Sequence, residues 1–172
     1  SVNKEDYINK LQNELGITIN EYDNKNIYDL SSPVVETIDF EKDNAFDVIN
    51  ENIYISPLLF LALDENPFKQ NQEKRKLPID FTFPKSKKYM INIKVPEGFT
   101  VDYMPKPMAL GLPNKKGIYR FTIKKSPLGD LQIIVQKEIK DSILSYEYYE
   151  PLKDFYRNIV NKETDKIVLT KT

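Results

Sequence analysis

Tyr119-Arg-Phe-Thr-Ile-Lys-Lys-Ser-Pro-Leu-Gly-Asp-Leu-Gln-Ile-Ile-Val-Gln-Lys-Glu-Ile139 decides the fold. In its first half Tyr119, Phe121 and Ile123 alternate with Arg120, Thr122 and Lys124. In its second half Leu131, Ile133, Val135 and Ile139 alternate with Gln132, Gln136 and Glu138. A period of two with one apolar side marks antiparallel strands laid over a core. Between them Ser126-Pro-Leu-Gly129 has turn chemistry, so the two runs read as a hairpin. The register is strongly specified, because a slip of one residue would turn the whole apolar set to water. Each of those side chains contributes about 1.5–3 kcal/mol when buried. Two residues break the pattern: Lys137 interrupts the apolar side, and Ile134 sits on the polar one.

Working outward, Tyr89, Ile91, Ile93 and Val95 alternate with Met90, Asn92 and Lys94 and predict another strand. From Asn66 onward, Pro67, Pro78, Pro84, Pro96, Pro105, Pro107, Pro113 and Pro127 separate short runs rich in β-formers, a spacing that suggests a sandwich or barrel. Upstream, Ile17–Tyr22, Val34–Phe40 and Asn52–Ile55 read as strands, and Asp23-Asn-Lys-Asn26 as a turn. Pro57 opens the apolar run Leu58–Leu63, which is too short to assign by periodicity. The spacing of Tyr7, Ile8, Leu11 and Leu15 predicts a helix over Lys4–Leu15, with Asn3 as its cap, Asp6 near its positive start and Gly16 as its stop. Tyr149, Leu152, Phe155, Tyr156, Ile159 and Val160 form a second helical stripe. Pro151 suits its first turn, and Arg157 and Lys162 lie toward its negative end. Ile167–Thr170 reads as a closing strand. The expected fold is therefore mainly β (α+β): an antiparallel β-sandwich-like domain with an N-terminal and a C-terminal helix. Neither a repeat nor a low-complexity linker interrupts residues 1–172, so a single domain is expected, with a seam near residue 66.

That seam is one of charge. Residues 1–66 carry 4 Lys against 14 Asp or Glu, whereas residues 67–172 carry 21 Lys or Arg against 12 Asp or Glu. The net −1 thus hides an acidic first part and a basic second part. Such a split can mark a surface for an anionic partner, or simply solvated faces. Apolar residues make up 40% and charged residues 30%, the balance of a folded chain. At 172 residues, folding removes roughly 70% of the unfolded surface from water. The absence of Cys excludes thiol nucleophiles, disulfides and thiolate metal sites, and the absence of His removes the usual general base. No apolar run approaches the roughly 20 residues of a membrane-spanning helix. The opening Ser-Val-Asn-Lys-Glu-Asp lacks the basic-then-apolar order of a signal peptide, and Ser1 reads as a cut point or a tag remnant.

Four constellations are candidates for binding or chemistry. Tyr146, Tyr148 and Tyr149 cluster before the second helix, where tyrosines can form a platform for sugar or peptide; the structural alternative places Tyr149 in the helix stripe and the others on the sheet rim. Lys74-Arg-Lys76, Lys85-Ser-Lys-Lys88, Lys115-Lys116 and Lys124-Lys125 can line an anion-binding face, although lysines near turns also protect strand edges. No nucleic-acid-binding motif accompanies them, so nucleic acid is not expected as a partner. Asp23–Asp29 and Glu41–Asp47 offer oxygen ligands for Ca²⁺ but lack the acidic spacing, Gly and closing Glu of a helix-loop-helix site, so they read as polar loops and no metal is expected. Carboxylate-only catalysis needs two acids facing across a cleft, and no Asp or Glu stands in a distinctive motif.

Several stretches together resemble a known family. They are Tyr54-Ile-Ser-Pro-Leu-Leu-Phe60, Asn66-Pro-Phe-Lys69, Arg75 with Pro78-Ile-Asp-Phe81, Pro96-Glu-Gly-Phe99, Pro105-Lys-Pro107, Tyr149-Glu-Pro-Leu-Lys-Asp-Phe155 and Ile167-Val-Leu-Thr-Lys171. The combination is similar to the C-terminal β domain of unknown function that follows a transglutaminase-like, papain-like core in exported Bacteroidetes proteins. The similarity runs from about the first helix to the end of the chain, and its motifs are structural in kind. In that family the catalytic Cys, His and Asp belong to the upstream core and have no counterpart here. The resemblance thus implies a non-catalytic structural or interaction domain in the periplasm or cell envelope, without cofactor. Its implied partner is the upstream transglutaminase-like core of the same chain. The alternative is an independent module for envelope glycan or peptide.

Overall fold

The computed structural model describes residues 3–68 and 76–172. Two compact units divide the chain, Ser1–Ala45 and Phe46–Thr172. The change of charge near Asn66 lies inside the second.

The first unit is built from α1 (Lys4–Leu15), β1 (Thr18–Lys25) and β2 (Val35–Glu41). Asn3 caps α1 by accepting the Glu5 N–H at 3.4 Å. Gly16 ends the helix in the left-handed region at φ 59°, a conformation that costs glycine little. Lys42 completes that end by donating to the Leu15 and Gly16 carbonyls at 3.2 and 3.1 Å. β1 pairs antiparallel with β2 from Thr18 opposite Glu41 to Lys25 opposite Val35. The pairing continues through Asp23 and Asn24, which sequence chemistry assigned to a turn; the turn starts at Asn26, with φ 64°. Backbone ladders in an exposed ribbon need no apolar side chains, so polar residues extend the strand. Among the described residues of this unit, Ile17 is the buried apolar one.

The second unit runs β3 (Phe46–Ile49), β4 (Asn52–Ile55), a 3-10 turn at Leu59–Leu61, β5 (Ile79–Asp80), β6 (Lys85–Ile93), β7 (Phe99–Tyr103), β8 (Met108–Gly111), β9 (Gly117–Lys125), β10 (Leu131–Ile139), β11 (Ile143–Leu144), α2 (Tyr149–Glu163) and β12 (Ile167–Lys171). The predicted hairpin is β9–β10, with Ile123 opposite Ile133 and Phe121 opposite Val135. Gly129 makes its turn possible at φ 94°. The sheet order is β6-β10-β9-β8, and a second four-stranded sheet runs β3-β4-β12-β7. β5 and β11 form a short separate pair. Every pairing is antiparallel.

Both four-stranded sheets and α2 contribute to one core. Tyr119, Phe121, Ile133 and Val135 come from the hairpin, Leu152 and Ile159 from α2, and Ile167 and Leu169 from β12, all 0–1% exposed. The mainly β, antiparallel, sandwich-like arrangement with helices Lys4–Leu15 and Tyr149–Glu163 agrees with the sequence expectation. The run after Pro57 forms the 3-10 turn, with Leu58 fully buried before it. Among the described residues no helix is long and apolar enough to cross a membrane.

Candidate functional site

The tyrosines nominated by sequence do not share one face. Tyr146 lies in a short turn before α2 and is half exposed. The Tyr148 hydroxyl accepts a hydrogen bond from Asn114 Nδ2 at 2.8 Å. Tyr149 begins α2, is 6% exposed and meets Phe68 edge-on at 5.6 Å between ring centres. It belongs to the core, as the helix stripe implies.

The basic runs are dispersed. Lys74 and Arg75 lie outside the described residues. Lys116 pairs with Asp141, and Lys124 and Lys125 end β9 on an exposed surface. Of the two acidic loops, Asp29 is occupied locally: its carboxylate accepts from the Ser31 hydroxyl at 2.6 Å and N–H at 2.9 Å, and these bonds, with that of Ser32, hold it below the usual carboxylate range. The other loop spans the end of β2, a turn and the start of β3. Among the described residues no three Asp or Glu side chains converge as a metal would require.

The remaining run, Lys85-Ser-Lys-Lys88, acquires a direction because it lies on β6. Alternation places Lys85 and Lys87 on the same face as Tyr89, Ile91 and Ile93, and Ser86, Lys88 and Met90 on the other. On β10, Lys137 stands directly opposite Lys87, and Ile139 opposite Lys85. This inner corner opens into a cleft of about 500 Å³ walled by Phe60, Leu61, Phe155, Tyr156 and Ile159. Lys85 Nζ sits 5.7 Å from the centre of the Phe81 ring and 5.8 Å from that of Phe83.

One charge beside the cleft is already neutralised. Glu163, the last residue of α2, is fully buried; its Oε2 accepts from Lys137 Nζ at 2.8 Å and from the Leu63 N–H at 2.7 Å. Glu163 Oε1 and the Tyr119 hydroxyl are buried without a hydrogen-bond partner among the described residues. Burial first, and the Glu163 charge second, raise the Tyr119 and Tyr89 phenols above their ordinary value; burial alone raises Tyr156. The corner therefore combines cations and neutral phenol donors with an apolar floor, a composition suited to a ligand carrying both carboxylates and apolar groups. Sequence reasoning missed Tyr89 and Lys137 as partners of the lysine run. The usable signal was the break that Lys137 makes in the apolar side of β10.

A second feature lies at the far side of the other sheet. Phe46 faces Ile55, which faces Ile167; Val48 faces Ile53, which faces Leu169. These residues share the core-facing side of the sheet. Exposure is 0% at Ile167 and Leu169 on β12, intermediate on β4, and 52% and 63% at Phe46 and Val48. The apolar face thus extends beyond its cover.

The family model of a domain of unknown function with a solved structure, DUF3858, matches residues 51–169. A crystal structure of a protein from Parabacteroides distasonis ATCC 8503, described as a "putative protease", shares the fold, with a TM-score of 0.54 at 10% sequence identity. The likeness covers 71% of this chain and 24% of that one, so the chain spans about a quarter of that protein's length. None of the curated proteins compared matches the chain.

Proposed function

We propose that this chain, which belongs to the DUF3858 family, is a non-catalytic structural and interaction domain of a longer cell-envelope protein. Its partner is a transglutaminase-like core upstream in the same polypeptide, on which it packs or for which it positions substrate. The carrying observation is the uncovered strip of Phe46 and Val48 on the inner side of the sheet β3-β4-β12-β7. A sheet face that is apolar across all four strands calls for a cover across its width. Burying the two side chains fully contributes about 1.5–3 kcal/mol each. The absence of Cys and His supports the non-catalytic role, and the resemblance to exported proteins supports the envelope location. The solved structure, in which a similar fold takes up 24% of a longer chain, fits a domain that serves a larger protein.

The test is calorimetric titration of the 172-residue chain with the core encoded upstream of it, at low and high salt. Saturable binding with a negative heat-capacity change is expected, because apolar surface leaves water. Phe46→Ser combined with Val48→Ser is expected to abolish binding while leaving the melting transition in place. Failure of the unmodified chain to bind at either salt, or unchanged binding by the variant, overturns the assignment. A second reading, an independent ligand-binding module, is favoured by the lysine-lined cleft beside β6.

A further inference from the structure

We propose that the free edge of β6 and the cleft beside it take up an extended acidic peptide as an added strand. The inference names a ligand class for the second reading above and is independent of docking at β3. Among the described residues β6 pairs with β10 alone, so its other edge presents backbone N–H and C=O groups without a strand partner. Nine residues of strand offer about 30 Å of such edge. Peptides commonly bind by adding to such an edge, with main-chain hydrogen bonds for affinity and alternate side chains for specificity.

The charges on β6 select the occupant. Lysines on an edge deter pairing with a second copy of the same strand, because Lys85, Lys87 and Lys88 would then meet like charges. The same lysines favour a strand bearing carboxylates. Lys137 is held by Glu163, whereas Lys85 rests over aromatic rings and Lys87 has no carboxylate partner among the described residues. Glu138, which also borders the cleft, stands opposite Ser86 and therefore on the other face of the sheet. Positive charge is thus left over on the inner side, at the mouth of an apolar hollow.

The order of residues along β6 predicts the peptide pattern. Lys85, Lys87 and Tyr89 follow at every second position, the last beside the aromatic walls of the cleft. An added strand places its own alternate side chains on that same face. The matching ligand has two acidic residues spaced by one, then an aromatic or large aliphatic residue two positions on, or the reverse order for the opposite strand direction.

The experiment uses the 172-residue chain and a fluorescent peptide, Thr-Glu-Thr-Glu-Thr-Phe-Thr, followed by anisotropy. Saturable binding that weakens with salt is expected. The peptide with both Glu replaced by Lys is expected not to bind. Lys85→Glu with Lys87→Glu is expected to weaken binding more than about tenfold, since like charges then oppose. A peptide N-methylated at alternate amides separates strand addition from charge alone and is expected to lose binding in the register that faces β6. The variant carrying Phe46→Ser and Val48→Ser is expected to bind the peptide as the unmodified chain does, which separates this site from docking at β3. Absence of saturable binding, equal binding of the Lys peptide, or equal displacement by an acidic oligosaccharide such as polygalacturonate overturns the proposal. The peptide arms use the unmodified chain, so they decide the matter even if the charge-reversed variant fails to fold.

Discussion

At the scale of single residues, Lys137 is where the alternation of β10 fails. Its ammonium reaches the buried carboxylate of Glu163 at 2.8 Å, and that carboxylate also anchors the Leu63 N–H. Removing one partner of such a pair leaves an uncompensated buried charge, which costs more than the pair contributes when intact. Lys137→Met is therefore expected to destabilise the second unit by about 3 kcal/mol, at the lower end for such pairs because the lysine keeps some solvent. Adding Glu163→Gln removes the charge, keeps an acceptor for Leu63 and is expected to restore most of that loss. Denaturant melts of both variants measure this, and equal stability of the single and double variants would refute it. The sequence shows that Lys137 breaks the apolar side. It cannot show the partner, which stands 26 positions away on another element. Tyr149 is the converse case: its place in the helix stripe already indicated the core.

At the scale of elements, the long strands and both helices were readable. Alternation identifies β9 and β10 because one side must meet the core while the other meets water. Ile133 is fully buried and Gln132 is exposed. Ile133→Lys forces a charge into that core and is expected to abolish cooperative folding, since the cost approaches the 5–15 kcal/mol that holds a typical domain together. Gln132→Lys is expected to change stability by less than about 0.5 kcal/mol. Thermal melts of the two variants compare them directly, and equal transitions contradict the strand assignment. The strands that sequence did not mark are β3, β5, β7, β8 and β11. They have two to five residues, too few for a period of two to stand out. Their pairing is specified by the neighbouring strand, as Phe99 opposite Lys171 and Leu110 opposite Tyr119 illustrate.

At the scale of the whole molecule, the core of the second unit makes the chain sensitive to alkali. The raised phenols of Tyr119, Tyr89 and Tyr156 keep their protons in the folded state, while in the unfolded chain they ionise near the ordinary 10.0. Below pH 10 their contribution is fully present; as pH rises above 10 the unfolded state releases protons first and the contribution is progressively lost. Alkaline titration is expected to show a late rise in phenolate absorbance coincident with loss of the near-ultraviolet circular dichroism. Tyr119→Phe is expected to move that step to higher pH. Smooth ionisation of every tyrosine with tertiary structure intact would contradict this. The sequence by itself determined the mainly β class, the central hairpin and the two helices, because period and capping are local properties of the chain. It also excluded thiol and histidine chemistry by composition. Only the tertiary structure decided that Lys85, Lys87 and Lys137 meet at one corner, and that Phe46 and Val48 stand on an uncovered face. Those facts depend on which strands become neighbours, and neighbours in a sheet are chosen by long-range packing that no stretch of sequence records alone.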